Sequence, residues 1–257
     1  MKASRILEME QYVAQKGSAS MEELCQYFQV SMNTVRRDVV ELIKRGAVDK
    51  VYGGVCARKS DQTLTPYEVR RSKLEESKIA IGRAAAELVQ DGDVIFIDSG
   101  TTTLQMMDFL SSYKELTVIT NNLEAIIRAL PHDHIHVISL PGQLRRKTNS
   151  FTGVEASKFL KNYNIRLAFM AATGLSFHGA TNSSSLEYEI KQTAVEICEK
   201  AVLLVNQEKF GVTGLMTFAP VSAFHTVVTD ARPSDEYVQW LQSEGVQLHL
   251  PSKQGGI

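Results

Sequence analysis

Two short stretches of this sequence hold residues that could do chemistry. The first is Ser31-Met32-Asn33-Thr34-Val35-Arg36-Arg37, where a carboxamide and two guanidinium groups fall within five positions. Guanidinium forks match phosphates and the guanine edge, and carboxamides match the adenine edge, so this set suits a nucleic-acid groove. The second is Asp98-Ser99-Gly100-Thr101-Thr102-Thr103, small hydroxylated residues placed where the apolar run 94–98 ends and a helical pattern begins. Backbone N–H groups, a helix N-terminus and several hydroxyls would together cradle a phosphate or carboxylate. The loop has neither the lysine and spacing of a P-loop nor the GxGxxG fingerprint. The plainer alternative for it is a Ser/Thr helix cap.

The first stretch is held by two capped helices. Ser20 with Glu23 forms a capping box, and Met21, Leu24, Cys25 and Phe28 follow at helical spacing. Ser31 reads as a second N-cap, and Val35, Val39, Leu42 and Ile43 make an apolar stripe that stops at Gly46. Asn33, Arg36, Arg37 and Lys44 lie opposite that stripe, the division of labour a helix-turn-helix needs. Residues 47–58 put Val48, Val51, Tyr52 and Val55 around Gly53-Gly54, a hairpin or wing, while Ile6, Met9 and Val13 mark a first helix ending at Gly17. The expected DNA contacts are therefore Ser31, Asn33, Thr34, Arg36 and Arg37, with Tyr52 and Gly53 on the wing. A solvated helix pair with incidental arginines is the bland reading.

At 257 residues, 44% hydrophobic and 22% charged, the chain can bury one large core or two smaller ones. Residues 1–59 hold 10 Lys+Arg against 7 Asp+Glu (+3), and the remainder 18 against 22 (−4), a mildly basic head on an acidic body. Cys25, Cys56 and Cys198 are too few and too scattered for a disulfide framework or zinc site and read as reduced thiols. No apolar leader or spanning segment is visible, so a cytoplasmic protein is expected. Residues 60–77 are polar and carry Pro66, which suggests a linker between a head at 1–59 and a body at 78–257.

In the body, apolar runs at 94–98, 116–120, 135–140, 166–172, 201–206, 224–230 and 246–250 alternate with helical patterns at 78–90, 102–112, 123–130, 154–163, 185–200 and 234–244. That is an α/β fold with a mostly parallel sheet, whose ligands sit at the carboxyl ends of strands. The ends are polar or glycine-rich: the Asp98 loop, Thr120-Asn121, Pro141-Gly142 and Thr173-Gly174. One of Arg145, Arg146 and Lys147 would clamp an anion, and Lys209 is placed to reach a phosphate. Glu187 and Lys191, at i and i+4, read as a surface ion pair beside an apolar side of Leu186, Ile190, Ala194 and Ile197.

The stretch SMNTVRRDVVELIKRGAVDKVYGGV resembles the N-terminal winged helix of the DeoR family of bacterial transcription regulators. DSGTTT, TNN and AFMAATG fit the same family, so the likeness covers nearly the whole chain. Within it, SGTTT, KRGAVDKVYGG and TNSSSLEYEIK are nearest the repressors of inositol catabolism. The resemblance implies a C-terminal sensor similar to sugar-phosphate isomerases and CoA-transferase-like folds that binds a phosphorylated sugar. It implies Asp98, Ser99, Gly100, Thr101, Thr102, Thr120, Asn121, Gly142, Thr173, Gly174 and Lys209 as effector contacts. The chain departs from the family at Leu167 and Asn206, where aspartate is common, and at Glu208 in place of serine.

Two other classes compete with this one. A sugar-phosphate isomerase would need a general acid/base, for which Asp98, Glu187 and Glu189 are candidates, yet their spacing forces no pair. A metal site at 131–136, PHDHIH, would have only His134 and His136 on one strand face, too few ligands. The expectation is a non-enzymatic repressor without cofactor or metal, binding operator DNA and a phosphorylated sugar. It should work as a dimer or tetramer, because one small winged head reads too few bases.

Overall fold

The computed structural model describes residues 5–6, 8–9, 12–13, 16, 18–44, 48–51, 54–57 and 67–252. The chain divides into two compact units, Met1–Thr63 and Leu64–Ile257.

In the first unit, β1 (Ser18–Ser20) leads into α1 (Met21–Phe28), followed by α2 (Met32–Lys44), β2 (Val48–Val51) and β3 (Gly54–Ala57). Ser20 Oγ accepts from Glu23 N at 3.1 Å, and α1 ends on Gln29 in the left-handed region (φ 50°). β2 and β3 form an antiparallel hairpin, and β1 adds to β3, giving the order β1-β3-β2. A Cβ at Gly54 would lie 2.3 Å from Ala19 O, so glycine is what lets the wing close on β1. Ile6, Met9, Val13, Leu24, Val35, Val39, Leu42, Val48 and Val55 make its core. Arg5 Nε donates to Asp38 Oδ2 at 2.7 Å, which fixes α2 to the N-terminal helical residues. Gly46, Tyr52 and Gly53 fall outside the described residues.

The second unit is built on a seven-stranded sheet: β4 (Val94–Ile97), β5 (Thr117–Thr120), β6 (His136–Ser139), β9 (Leu167–Ala171), β12 (Lys200–Leu204), β14 (Thr226–Val228) and β15 (Gln247–His249). Its order is β15-β14-β12-β9-β4-β5-β6, and every neighbouring pair is parallel. Parallel strands are covered on both faces, which is why they read as continuous apolar runs. Ile95 and Ile97 face a core shared with α4 (Glu75–Ala86), a 3₁₀ helix (Thr103–Phe109) and α5 (Leu123–Ala129). Phe96 faces a second core with α6 (Val154–Leu160), α7 (Ser185–Ile197) and α8 (Asp235–Ser243).

Three features differ from the sequence reading. Much of the expected linker is helix: α3 (Tyr67–Ser72) precedes α4, and Tyr67 is buried in the first core. One aromatic anchor in a polar stretch is invisible to composition. The helix expected at 102–112 is a 3₁₀ helix, because Thr103 Oγ1 bonds back to Asp98 and to Gly100 O (3.0 Å), tightening the turn. Short antiparallel strands were also missed. These are the hairpin β7 (Gln143–Arg145) with β8 (Ser150–Thr152), and the small sheet β10 (Gly174–Ser176), β11 (Gly179–Asn182) and β13 (Met216–Ala219).

Candidate nucleic-acid face and sensor crevice

α2 buries Val35, Asp38, Val39 and Leu42 and leaves Asn33, Arg36 and Arg37 exposed. Ser31 Oγ accepts from Thr34 N at 3.3 Å, and the Ser31 and Thr34 hydroxyls are 2.9 Å apart, so both residues cap α2. The two arginines therefore stand on the outer face of a well-anchored helix. Such a helix beside a wing is the geometry that enters a major groove.

In the α/β unit, β4 is the point from which strand order departs in both directions, to β5 and β6 on one side and to β9, β12, β14 and β15 on the other. A crevice for ligand lies outside the carboxyl ends at such a switch point. Asp98 sits there, 1% exposed, and is fully engaged. Oδ1 accepts from Gly100 N (2.9 Å) and Thr103 Oγ1 (2.6 Å); Oδ2 accepts from Ala171 N (2.8 Å) and from Lys191 Nζ. Lys191 also donates to Ala171 O at 2.9 Å and stands 5.3 Å from the Phe218 ring. Asp98 thus shapes the loop and staples β4 to β9, since its lone pairs are taken. The hydroxyls of Thr101 and Thr102 have no hydrogen-bond partner among the described residues, which leaves them available.

The expected surface pair of Glu187 and Lys191 is not formed. Both are buried, 5% and 4% exposed, and each is bound elsewhere. Glu187 Oε1 accepts from Ser99 Oγ (2.7 Å) and Ser150 Oγ (2.8 Å), and Ser150 Oγ is 2.7 Å from Thr148 Oγ1. α7 is turned by about one position from the expected face: Leu186 is 51% exposed, and Glu187 and Lys191 point inward with Ile190 and Ala194. A buried charge at helical spacing among apolar residues was the available signal.

The other expected contacts divide between framework and crevice. Thr120 Oγ1 donates to Ile97 O (2.6 Å) and accepts from Asn122 N (3.0 Å), tying β5 to β4. Asn121 Nδ2 donates to Phe151 O (3.2 Å), while its buried Oδ1 has no hydrogen-bond partner. Asn122, which the reading passed over, caps α5 and reaches Asp98 O (3.3 Å) and Gly100 O (3.4 Å). Gly142 (φ 144°) would place a Cβ 2.7 Å from Thr152 O, and Gly174 one 2.1 Å from Val212 O, so both allow close backbone packing. Arg145 Nε donates to Thr152 Oγ1 at 3.2 Å, whereas Arg146 and Lys147 are exposed. Thr173 N donates to Thr181 O (2.8 Å), and Lys209 lies half-buried in the 3₁₀ turn Gln207–Lys209 after β12. His134 precedes β6 instead of sharing a strand face with His136. Among the described residues no three His, Cys, Asp or Glu side chains converge, and no helix is long and apolar enough to cross a membrane.

A methyl at Gly100 would sit 2.3 Å from Ala171 Cβ and 2.8 Å from Thr103 Oγ1. Gly100→Ala is therefore expected to cost about 1–3 kcal/mol through overpacking, read as a lower urea midpoint with unchanged slope.

A winged helix-turn-helix with exposed arginines, in one chain with an α/β unit carrying a polar crevice at its switch point, defines a DNA-binding regulator with a small-molecule sensor. The chain belongs to the DeoR family of helix-turn-helix transcription regulators: residues 5–61 match the DeoR-like helix-turn-helix domain and residues 73–231 the DeoR C-terminal sensor domain. It is 42% identical over 251 residues to the HTH-type transcriptional regulator IolR of Bacillus subtilis (strain 168), covering 97% of this chain and 100% of that protein. It is 29% identical over 239 residues to the glycerol-3-phosphate regulon repressor of Escherichia coli (strain K12), covering 93% and 94%. Among solved structures, a D-ribose-5-phosphate isomerase in complex with phospho-erythronic acid is similar with a TM-score of 0.40 and 17% identity, over 53% of this chain and 54% of that one. The translation initiation factor eIF-2B of Pyrococcus horikoshii OT3 is similar with a TM-score of 0.42 and 16% identity, over 81% and 65%.

Proposed function

We propose that this regulator is a cytoplasmic repressor of a carbohydrate or polyol catabolic operon, released from its operator by a phosphorylated sugar. Arg36 and Arg37, flanked by Asn33 and Thr34, read and grip the operator, and an oligomer pairs two heads on two half-sites. The similarity to IolR and to the glycerol-3-phosphate regulon repressor supports a polyol or sugar pathway. The observation that carries the sensor reading is the state of the crevice carboxylates. Asp98 is taken by Lys191 and three further donors, and Glu187 Oε1 by Ser99 and Ser150, so both carboxylates are built into the framework of the crevice. Hydroxyls, amides and cations such as Lys209 also stand at the strand ends, groups suited to holding a polyhydroxylated anion. Ligand releases DNA only by preferring the arrangement that cannot bind the operator; a tenfold preference is about 1.4 kcal/mol.

The test is a thermal-shift screen of sugar and polyol phosphates, followed by operator release with each hit. A cognate ligand at 100 times its Kd should stabilise the sensor by about 2.7 kcal/mol, roughly 5–10 °C, and free the operator at matching concentrations. Stabilisation by a compound that leaves the operator complex intact would defeat the switch.

A further inference from the structure

α2 carries an apolar side chain on its outer face that packing does not account for. Asn33, Arg36, Arg37 and Val40 are spaced at i, i+3, i+4 and i+7, and all four are exposed, Val40 at 51%. At about 100° per residue, Val40 points within about 20° of Asn33, in the arc between the two arginines. It lies roughly 5 Å further along the helix axis than they do, a distance of about one to two base pairs on a duplex. The inner face is Val35, Asp38, Val39 and Leu42, and Val40 belongs neither to the core of the head nor to the partly buried side chains packed on it.

A single exposed apolar residue is ordinary on a protein surface, but this one stands in the middle of a polar helix face. Valine is a weaker helix former than alanine, lysine or glutamate, because its branched side chain loses freedom against the preceding turn. A solvated position within α2 therefore gains nothing from it. Tyr27 is the other large apolar side chain exposed in the described part of the head, and its ring packs on Tyr12 and Phe28, with centroids 4.0 and 4.9 Å away. With the proposed face docked on DNA, Arg36 and Arg37 hold α2 to the duplex and carry Val40 to the base edges with them.

In the major groove the bases present hydrogen-bond donors and acceptors and one apolar group, the 5-methyl of thymine. Against cytosine, the valine methyls would cover the N4 donor and leave it without a partner. Against thymine they bury methyl on methyl. We propose that Val40 is a specificity-determining residue: it selects a thymine in each half-site through the 5-methyl group, about one to two base pairs beyond the contacts of Arg36 and Arg37. The proposal deepens the operator reading above and rests on it. The arginines alone would favour guanine and phosphate, so a thymine requirement at that distance is a signature that charge cannot supply.

The full chain first selects its operator from a pool of random duplexes. Each thymine of the enriched sequence is then replaced by deoxyuridine, which lacks only the methyl group, and binding of the wild-type protein and of Val40→Ala is measured on every duplex. For the wild type, one replacement in each half-site should weaken binding about fourfold, the effect of uncovering one methylene-sized group. Val40→Ala should lose about the same factor on the unmodified operator and be indifferent to that replacement, while replacements elsewhere affect both proteins alike. Coupling between one side chain and one methyl is a result that a merely structural role for Val40 does not produce. A Val40→Ala protein that responds to every deoxyuridine as the wild type does overturns the proposal, and so does an enriched operator with no thymine common to its half-sites. Arg36→Ala and Arg37→Ala, measured on the same duplexes, keep the two readings apart. Affinity lost in these variants without any Val40 coupling removes the thymine contact and leaves the docking face in place, whereas failure of the wild type to enrich any sequence removes both.

Discussion

Asp98→Ala should destabilise the sensor unit by roughly 3–5 kcal/mol, because it strands the Lys191 ammonium in the interior. The same change removes an acceptor from Gly100 N, Thr103 Oγ1 and Ala171 N. For a unit of this size the melting temperature should fall by roughly 6–20 °C. Lys191→Met alone should be nearly as harmful, since it strands the carboxylate instead. The double variant Asp98→Ala/Lys191→Met should recover part of the loss, because the pair is coupled through one contact. Urea titrations of the three variants give the coupling energy directly. A loss under about 1 kcal/mol for the single variants would mean that the pair is solvated in solution, contrary to its burial.

Arg36→Ala and Arg37→Ala should each weaken operator binding by about 1–3 kcal/mol, roughly 5–150-fold, with no change in melting temperature. Adjacent helix residues point about 100° apart, so with the proposed face docked on DNA one arginine should enter the groove while the other meets its phosphate wall. The two should therefore differ in kind. Loss of the phosphate contact lowers the salt dependence of binding by about one counterion and weakens all sequences alike; loss of the base contact relaxes specificity at one position. Binding isotherms across a salt series, on operator and on scrambled duplex, tell them apart. Two folded variants with wild-type isotherms would move the recognition surface elsewhere on the head.

The helix-turn-helix was legible because each of its signals is local: Ser20 bonds Glu23, Ser31 caps Thr34, and the stripe Val35, Val39, Leu42 is buried as its spacing requires. The sheet was legible for a related reason, since strands buried on both faces leave apolar runs whatever their neighbours. What could not be read depends on distant partners. Glu187 and Lys191 look like a surface pair until Ser99, Ser150 and Asp98, which lie 37 to 93 positions away, are folded against them. α3 is polar on most of its surface, and only the burial of Tyr67 reveals that it belongs to the sensor. The three-residue strands of the β7–β8 hairpin are too short to show alternation. The position of Asp98 in a polar loop is legible, whereas its part in holding that loop shows only in its hydrogen bonds to Gly100, Thr103, Ala171 and Lys191.

Each unit closes its own interior: Ile6 to Val55 supply one core, and residues from Tyr67 onward supply the others. Recombination between the two would leave each of these cores whole. A lineage could in this way retarget such a protein to new genes while keeping its metabolite preference, or adopt a new metabolite while keeping its genes.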